Sequence, residues 1–425
     1  MRLVCAVAVC LLLAGSAWGE AVFELDATDV EQTDVMALSM AGCPSVFFQR
    51  GGMEGFSVPG QETAENPGSD KALRGDHFTA SGETMAMFLD HATDDSAKWD
   101  ALYADVDSDG EFSGREKFRA KGWEGGQTAF GPMKLRLGEG KAKAFLVLEG
   151  TMGELDEYAF GVLVPEETMR GKVRLGGSEY RVEVIDTDLD GSYSRPATKQ
   201  GEGGEPAMLG TDSGSAIAID LNGDGYAYRM PYSAYEMPGM TNEVFPPGSM
   251  MQTGKEWVRV DVSADGEELT VSDPLPTGKV GFDGERLSVK LRGTDGGEVM
   301  VSDATGAFEA PTGAYQIADF KLTVGEDGKE WSLACANYQL GDLRPPLEVS
   351  DGGTAHLALA PRVDVGVYAS ADADSGEFRI SLQAVGPDGM SVVDVLAGDE
   401  KPGAPKFSLV DDEGKVLESG EFEYG

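Results

Sequence analysis

Apolar residues in this chain come in short alternating runs, and glycine or proline interrupts almost every run before it could extend. With 58 glycines and 20 prolines among 425 residues, few stretches are long enough for an amphipathic helix of ordinary length. The runs at 133–137, 180–185, 257–262, 287–291, 315–324 and 378–382 alternate apolar and polar side chains. That is the period of a strand with one buried face. The pattern predicts a mainly β protein of several small β-sandwich-like domains, with strand-flanked Asp-rich loops and few short helices. Helices are expected only near 96–103 and after Ser113.

At the N-terminus, Arg2 precedes an apolar stretch over 3–14, followed by the small-residue run Gly15, Ser16, Ala17, Trp18 and Gly19. This order reads as a secretory signal peptide, residues 1–19, cleaved after Gly19. Cys10 lies inside the apolar stretch and not in a lipid-attachment box, so no lipid anchor is expected. No second apolar stretch approaches the roughly 18 residues of a membrane span. The chain is therefore expected to be secreted or periplasmic.

Charge narrows the partners. The 74 acidic side chains against 34 basic ones give a net charge of -40. Such a field repels phosphate backbones and anionic lipid, which disfavours nucleic acid and membrane surfaces and favours cations. It also keeps an exported protein soluble. Cys5 and Cys10 leave with the signal. Cys43 and Cys335 remain, either as one disulfide closing a long loop or as two separate buried thiols. No Cys-x-x-Cys pair suggests metal ligation by them.

The remainder is expected to divide into 20–130, 131–280, 281–362 and 363–425, its character changing to compact strand and turn units from about Gly281. Irregular Gly- and Pro-rich excursions at 198–210 and 232–253 lie within the second of these. In the third, the strand-like 284–291 and the turn-strand Ala310-Pro311-Thr312-Gly313-Ala314-Tyr315-Gln316-Ile317 resemble prealbumin-like or carboxypeptidase-regulatory β-sandwich modules. In the last, 407–410, the Asp-Asp-Glu-Gly turn, Val416, Leu417, Phe422 and Tyr424 resemble an immunoglobulin-like unit. At roughly 60 residues that unit is thin for an independent sandwich and is expected to pack on, or share a sheet with, its predecessor. The resemblances imply display, rigid spacing or ligand binding, and no activity.

The most specific chemistry lies at 105–116. Asp105, Asp107 and Asp109 stand at positions 1, 3 and 5, with Gly110 at 6, Glu111 at 7, Ser113 at 9 and Glu116 at 12. This satisfies every constrained position of the EF-hand-type calcium loop. Calcium takes about six to eight oxygens, which closely spaced carboxylates, the position-7 carbonyl and a bidentate Glu can supply. Phe112 at position 8 would anchor the loop to a core.

Two further segments repeat the first half of this pattern. They are Asp186, Asp188 and Asp190 before Gly191, with Ser192 at position 7, and Asp220, Asn222 and Asp224 before Gly225, with Tyr226 at position 7. Position 12 is Ala197 in one and Pro231 in the other, so each lacks the terminal carboxylate. Arg195-Pro196 also argues against a helix leaving the second loop. Both follow alternating strands, which suggests either calcium turns at strand ends or plain Asx turns. A fourth cluster, Asp261 to Gly266, lacks the acid at position 3 and is expected to be an ordinary hairpin turn.

Enzyme signatures are weak. No H-E-x-x-H, G-x-S-x-G or phosphate-loop motif occurs. His77, His91 and His356 are scattered. The Asp-Ser-Gly triplets at 212 and 374 lack the apolar flanks of an aspartic protease site, and Arg74-Gly75-Asp76 is too short to specify adhesion. The leading reading is an exported, non-catalytic calcium-binding β protein acting in structure, adhesion or binding of an envelope or extracellular protein or polysaccharide. The alternative is a secreted hydrolase, acting on polysaccharide, with calcium-stabilised β modules.

Overall fold

A computed structural model describes residues 21–29, 43–49, 67, 72–78, 84–91, 99–122, 127–136, 142–151, 158–194, 214–221, 223, 243–326, 328–336, 345–359, 362–371, 378–398, 400–410 and 414–422. The expected signal peptide lies outside the described residues. Among those residues strand is the dominant structure, as the alternation predicts, and the one helical segment is a 3-10 turn at Pro387–Gly389.

The first unit is a nine-stranded antiparallel sheet. Its spatial order is Lys117–Arg119, Ala101–Ala104, Thr84–Asp90, Leu73–Phe78, Ser45–Gln49, Tyr158–Pro165, Ala142–Thr151, Thr128–Leu135 and Lys121–Gly122. The two outermost strands, Lys117–Arg119 and Lys121–Gly122, are separated in sequence by Ala120 alone, so the sheet curls round until its edges meet. Inward side chains from seven of its strands fill one barrel-like core, including Val46, Phe48, Leu73, Met85, Met87, Leu89, Leu102, Phe130, Met133, Leu146 and Leu163. Strands of this sheet come from both sides of residue 130.

The helices expected near 96–103 and after Ser113 are replaced, where the structure describes these residues, by strands Ala101–Ala104 and Lys117–Arg119. Leu102 and Phe118 face each other across this antiparallel pair and both pack into the barrel core. A helix would have carried Leu102 and Phe118 out of that register.

A second, 16-stranded sheet makes up most of the remainder. Strand Ala21–Asp29 lies within it, pairing with Glu167–Leu175 on one side and Glu268–Val271 on the other. Open sheets of this width usually split, and this one has two separate cores. Leu25, Val173, Val184, Ile217, Val260 and Leu269 belong to one, and Leu291, Val299, Tyr315, Phe320 and Cys335 to the other. Among the described residues the strand pairing between the halves is one parallel pair, Met250 opposite Val299, reinforced by Trp257 of the first half, which is buried in the second core.

In the second half, the three-stranded sheet of Ala307–Pro311, Thr277–Phe282 and Thr354–Leu357 covers the large sheet, with Phe282, Phe308 and Leu357 in the shared core. The strands Asp364–Ala371, Phe378–Val385 and Ser391–Ala397 continue the same large sheet. Lys406–Val410 and Val416–Glu421, which hold the residues of the immunoglobulin-like resemblance, pair instead in a separate two-stranded sheet. Cys43 and Cys335 are both free thiols, buried in different cores.

Candidate metal centres

Two of the aspartate clusters form metal-ion-sized groups of carboxylates. In each of the sets Asp105, Asp107, Asp109 and Asp186, Asp188, Asp190, one oxygen per residue lies within 4.8 Å of the others. Either set could hold a metal ion.

The loops owe their shape to the same local chemistry. Position 4 takes the left-handed conformation in both, Ser108 at φ 53° and Leu189 at φ 58°, and the position-6 glycines follow at φ 80° and 83°. Glycine carries that conformation without penalty. The position-1 carboxylate then accepts from the position-6 amide, Gly110 N to Asp105 Oδ2 at 3.0 Å and Gly191 N to Asp186 Oδ2 at 2.8 Å. The position-5 carboxylate accepts from the position-7 amide, Glu111 N to Asp109 Oδ1 at 2.8 Å and Ser192 N to Asp190 Oδ1 at 2.7 Å. The backbone therefore fixes the position-1 and position-5 carboxylates at both places.

The first loop joins two strands, where an EF-hand loop joins two helices. Asp105 is buried, while Asp107 and Asp109 are exposed. Burial raises the Asp105 carboxyl, backbone bonds from Gly110 and Asp109 oppose the rise, and the charges of Asp109 and Glu116 add to it. Glu116, expected at the bidentate position, is buried and accepts from two amides, Val106 N at 3.2 Å and Ser113 N at 2.6 Å. It braces the loop across its width in this geometry. Ser113 Oγ accepts from Arg115 N at 3.3 Å. Phe112 packs edge-on to Phe88 and Tyr103, the anchoring expected of position 8.

The second loop is far more enclosed. Asp186 and Asp188 are 3% and 2% exposed. Burial pushes the Asp186 carboxyl well above its usual range, and Asp188 pushes it further by its charge and by a side-chain contact that only a shared proton could make a hydrogen bond. The Asp190 charge adds to the rise, and Gly191 N opposes it. Oδ1 of Asp186 is buried with no hydrogen-bond partner, which would cost several kcal/mol if ionised and left so, an order-of-magnitude figure. A cation seated among the three carboxylates removes that penalty. Ser192 places its backbone beside them, held by Ser215 Oγ donating to Ser192 O at 2.8 Å.

Only the start of the third loop is described. Asp220 is buried and its Oδ1 accepts from Gly223 N at 2.9 Å, with Gly223 at φ 75°. Asn222, Asp224 and Tyr226 lie outside the described residues. The fourth cluster is the hairpin turn expected of it: Ser263 Oγ donates to Asp265 Oδ1 at 2.5 Å and Gly266 N to Ser263 O at 2.9 Å.

Sequence reasoning missed Leu189. It is fully buried in the core of the nine-stranded unit, not in that of its own sheet. A large apolar side chain between Asp188 and Asp190, in a loop otherwise made of small and acidic residues, is the signal that could have marked it. Tyr193 was missed as well. Its ring packs on the backbone of the 263–266 turn, where a Cβ on Gly266 would stand 2.7 Å from it. Burial first, then the charges of Asp186 and Glu167, push its phenol up to about 12.

No family model, no curated protein and no solved structure matches the chain.

Proposed function

We propose that this is an exported calcium-binding protein without catalytic activity, whose ions stiffen β units that contact an envelope or extracellular protein or polysaccharide. The observation that carries the metal reading is the Asp186 carboxylate, buried against Asp188 with one oxygen unpartnered. Three clustered carboxylates and neighbouring backbone carbonyls are an all-oxygen donor set, which suits a hard cation. Calcium fits better than magnesium, because magnesium keeps its waters and requires a strict octahedron.

In this reading the first ion is held by Asp105, Asp107, Asp109 and the Glu111 carbonyl, with Ser113 directly or through water and Glu116 as brace or ligand. The second is held by Asp186, Asp188, Asp190 and the Ser192 carbonyl. A third loop, Asp220, Asn222, Asp224 and the Tyr226 carbonyl, is of the same type. The resemblance of the C-terminal half to small display modules supports a binding or structural role, and no motif in the sequence supports an active site.

Calorimetric titration of EDTA-treated protein with calcium and magnesium at matched ionic strength tests this. The expected result is saturable calcium binding, weaker magnesium binding, and the loss of one calcium site in each of Asp107→Asn and Asp188→Asn. Equal responses to both ions, unchanged in the variants, would mean that only general screening of the acidic surface is at work.

A further inference from the structure

The second loop is placed where the two large units meet. Ile185, just before it, is buried in a cluster with Cys43, Ala129, Val147, Val162 and Val164, which line the outer wall of the nine-stranded unit. Leu189, four residues on, is fully buried inside that same unit, in a cluster whose other buried members come from residues 46–163. The chain between them therefore hooks over the rim, with one apolar side chain outside and the next inside. Beyond the hook, Tyr193 N donates to Ala264 O at 3.0 Å in the turn joining Glu256–Val262 to Glu268–Val271 of the large sheet. Thr187 Oγ1 donates to Gly214 O, which ties the hook to the start of strand Ser215–Ile219.

The three carboxylates alternate with the residues that form the hook. Asp188 and Asp190 flank Leu189 directly, so whatever fixes those carboxylates also fixes the Leu189 backbone in its left-handed conformation at φ 58°. Leucine does not favour that conformation. Without a cation, Asp186 and Asp188 press two carboxyls together in a buried site, relieved either by a proton shared between them or by Asp188 swinging towards water. Such a swing drags Leu189 with it. With a cation, the same carboxylates are drawn inward and the leucine is held down.

We propose that the ion of the second loop is a latch, holding Leu189 in the barrel core and so making attachment of the nine-stranded unit to the large sheet depend on calcium. This rests on the metal reading above for that loop, and adds to it a long-range consequence that a local stabilising ion would not have. Release of the latch would loosen the inner half of this attachment when calcium is withdrawn, leaving Ile185 and Ala216 on the outer wall as the remaining contact.

The test uses the full chain carrying Asp107→Asn and Asp224→Asn, which silence the first and third loops, and follows amide hydrogen exchange with calorimetry run in parallel. Calcium is expected to slow exchange at least tenfold in Ser178–Asp186, and also in Thr84–Asp90 and Ala142–Thr151 of the nine-stranded unit. Adding Asp188→Asn should abolish both effects. Adding Leu189→Ala should leave the calcium heat and the protection of Ser178–Asp186 while removing the protection of the barrel strands. Should Leu189→Ala fail to fold, Leu189→Met keeps the apolar plug and is expected to retain transmission. If calcium binds with measurable heat but protects only residues near 178–194, the latch is wrong and the metal site stands. If no heat is seen, the metal reading fails and takes the latch with it.

Discussion

Glu298 and Asp319 are buried beside Lys290 and Arg292, whereas Asp186 is buried beside Asp188 and Asp190. In the first cluster, Glu298 receives Arg292 Nη2 at 2.9 Å and Lys290 Nζ at 3.4 Å. Burial alone would raise the Glu298 carboxyl, but the charges of Lys290 and Arg292 and the bonds they donate bring it below its usual range. In the second, the side-chain charges that act most strongly on Asp186 are both negative. One region carries its counter-charges on neighbouring strands, since Arg292 stands opposite Glu298 and Lys290 opposite Asp319. The other clusters three carboxylates that could hold a metal ion. Asp319 Oδ1 is also buried without a hydrogen-bond partner, so neither burial of acids nor an unpartnered oxygen marks a metal site on its own, and what distinguishes the loop is the sign of its neighbours.

The sharpest way to break this comparison is to strip the metal. With calcium at a hundredfold excess over Kd, each site should contribute about 2.7 kcal/mol, so EDTA should cost about 5 kcal/mol if both described loops fill. Chemical denaturation with and without EDTA measures this. Asp319→Asn should leave the EDTA effect unchanged, because that cluster is balanced internally. A calcium response that moved with Asp319 would erase the distinction between the two regions.

The internally balanced cluster makes its own prediction. Burial raises Asp319 from 3.8 to about 6, the charge of Lys290 opposing and that of Glu298 adding. The folded state thus holds this proton more tightly than the unfolded chain. Its contribution is fully present below pH 4 and is lost as pH rises towards about 6, a difference of about 3 kcal/mol. Asp319→Asn should remove that slope, so the variant's stability relative to the parent should climb between pH 4 and 7 in denaturation curves. A constant offset across that range would contradict the assignment.

Asp188→Asn should separate the loops by sign. It removes one of two facing carboxylates, so the metal-free protein should melt higher than the metal-free parent, while the second loop's share of the calcium gain, about 2.7 kcal/mol, disappears. Asp107→Asn removes an exposed carboxylate, and should lose its share of the calcium gain with little change when metal is absent. Glu116→Gln is the mildest change, expected to cost about 1 kcal/mol by weakening one of two backbone contacts. If that loss is the same with and without calcium, Glu116 is a brace. If calcium binding in the first loop is lost, it is a ligand.

Much of this was legible in the chain. The alternation of 180–185 and 257–262 gave strands Ser178–Asp186 and Glu256–Val262, because a half-buried strand leaves its period in the residues themselves. The spacing of Asp105, Asp107 and Asp109, and of Asp186, Asp188 and Asp190, gave the clusters, because adjacent turns impose that geometry locally. What was not legible depends on distant partners. Strand Lys117–Arg119 exists because Phe118 meets Leu102, and a three-residue segment carries no period of its own. The insertion of Leu189 into another unit's core leaves no local trace beyond a leucine among aspartates. Nor does sequence show that Glu116 reaches across to Val106 N and Ser113 N.

A crystal structure of the protein grown in saturating calcium tests the central claim most directly, using anomalous scattering to identify the ion. The account predicts an ion in the second loop with oxygens of Asp186, Asp188 and Asp190 at about 2.3–2.6 Å, and a second in the first loop on Asp105, Asp107 and Asp109. Finding Asp186 and Asp188 in contact with each other and no ion between them, under the same conditions, would contradict it.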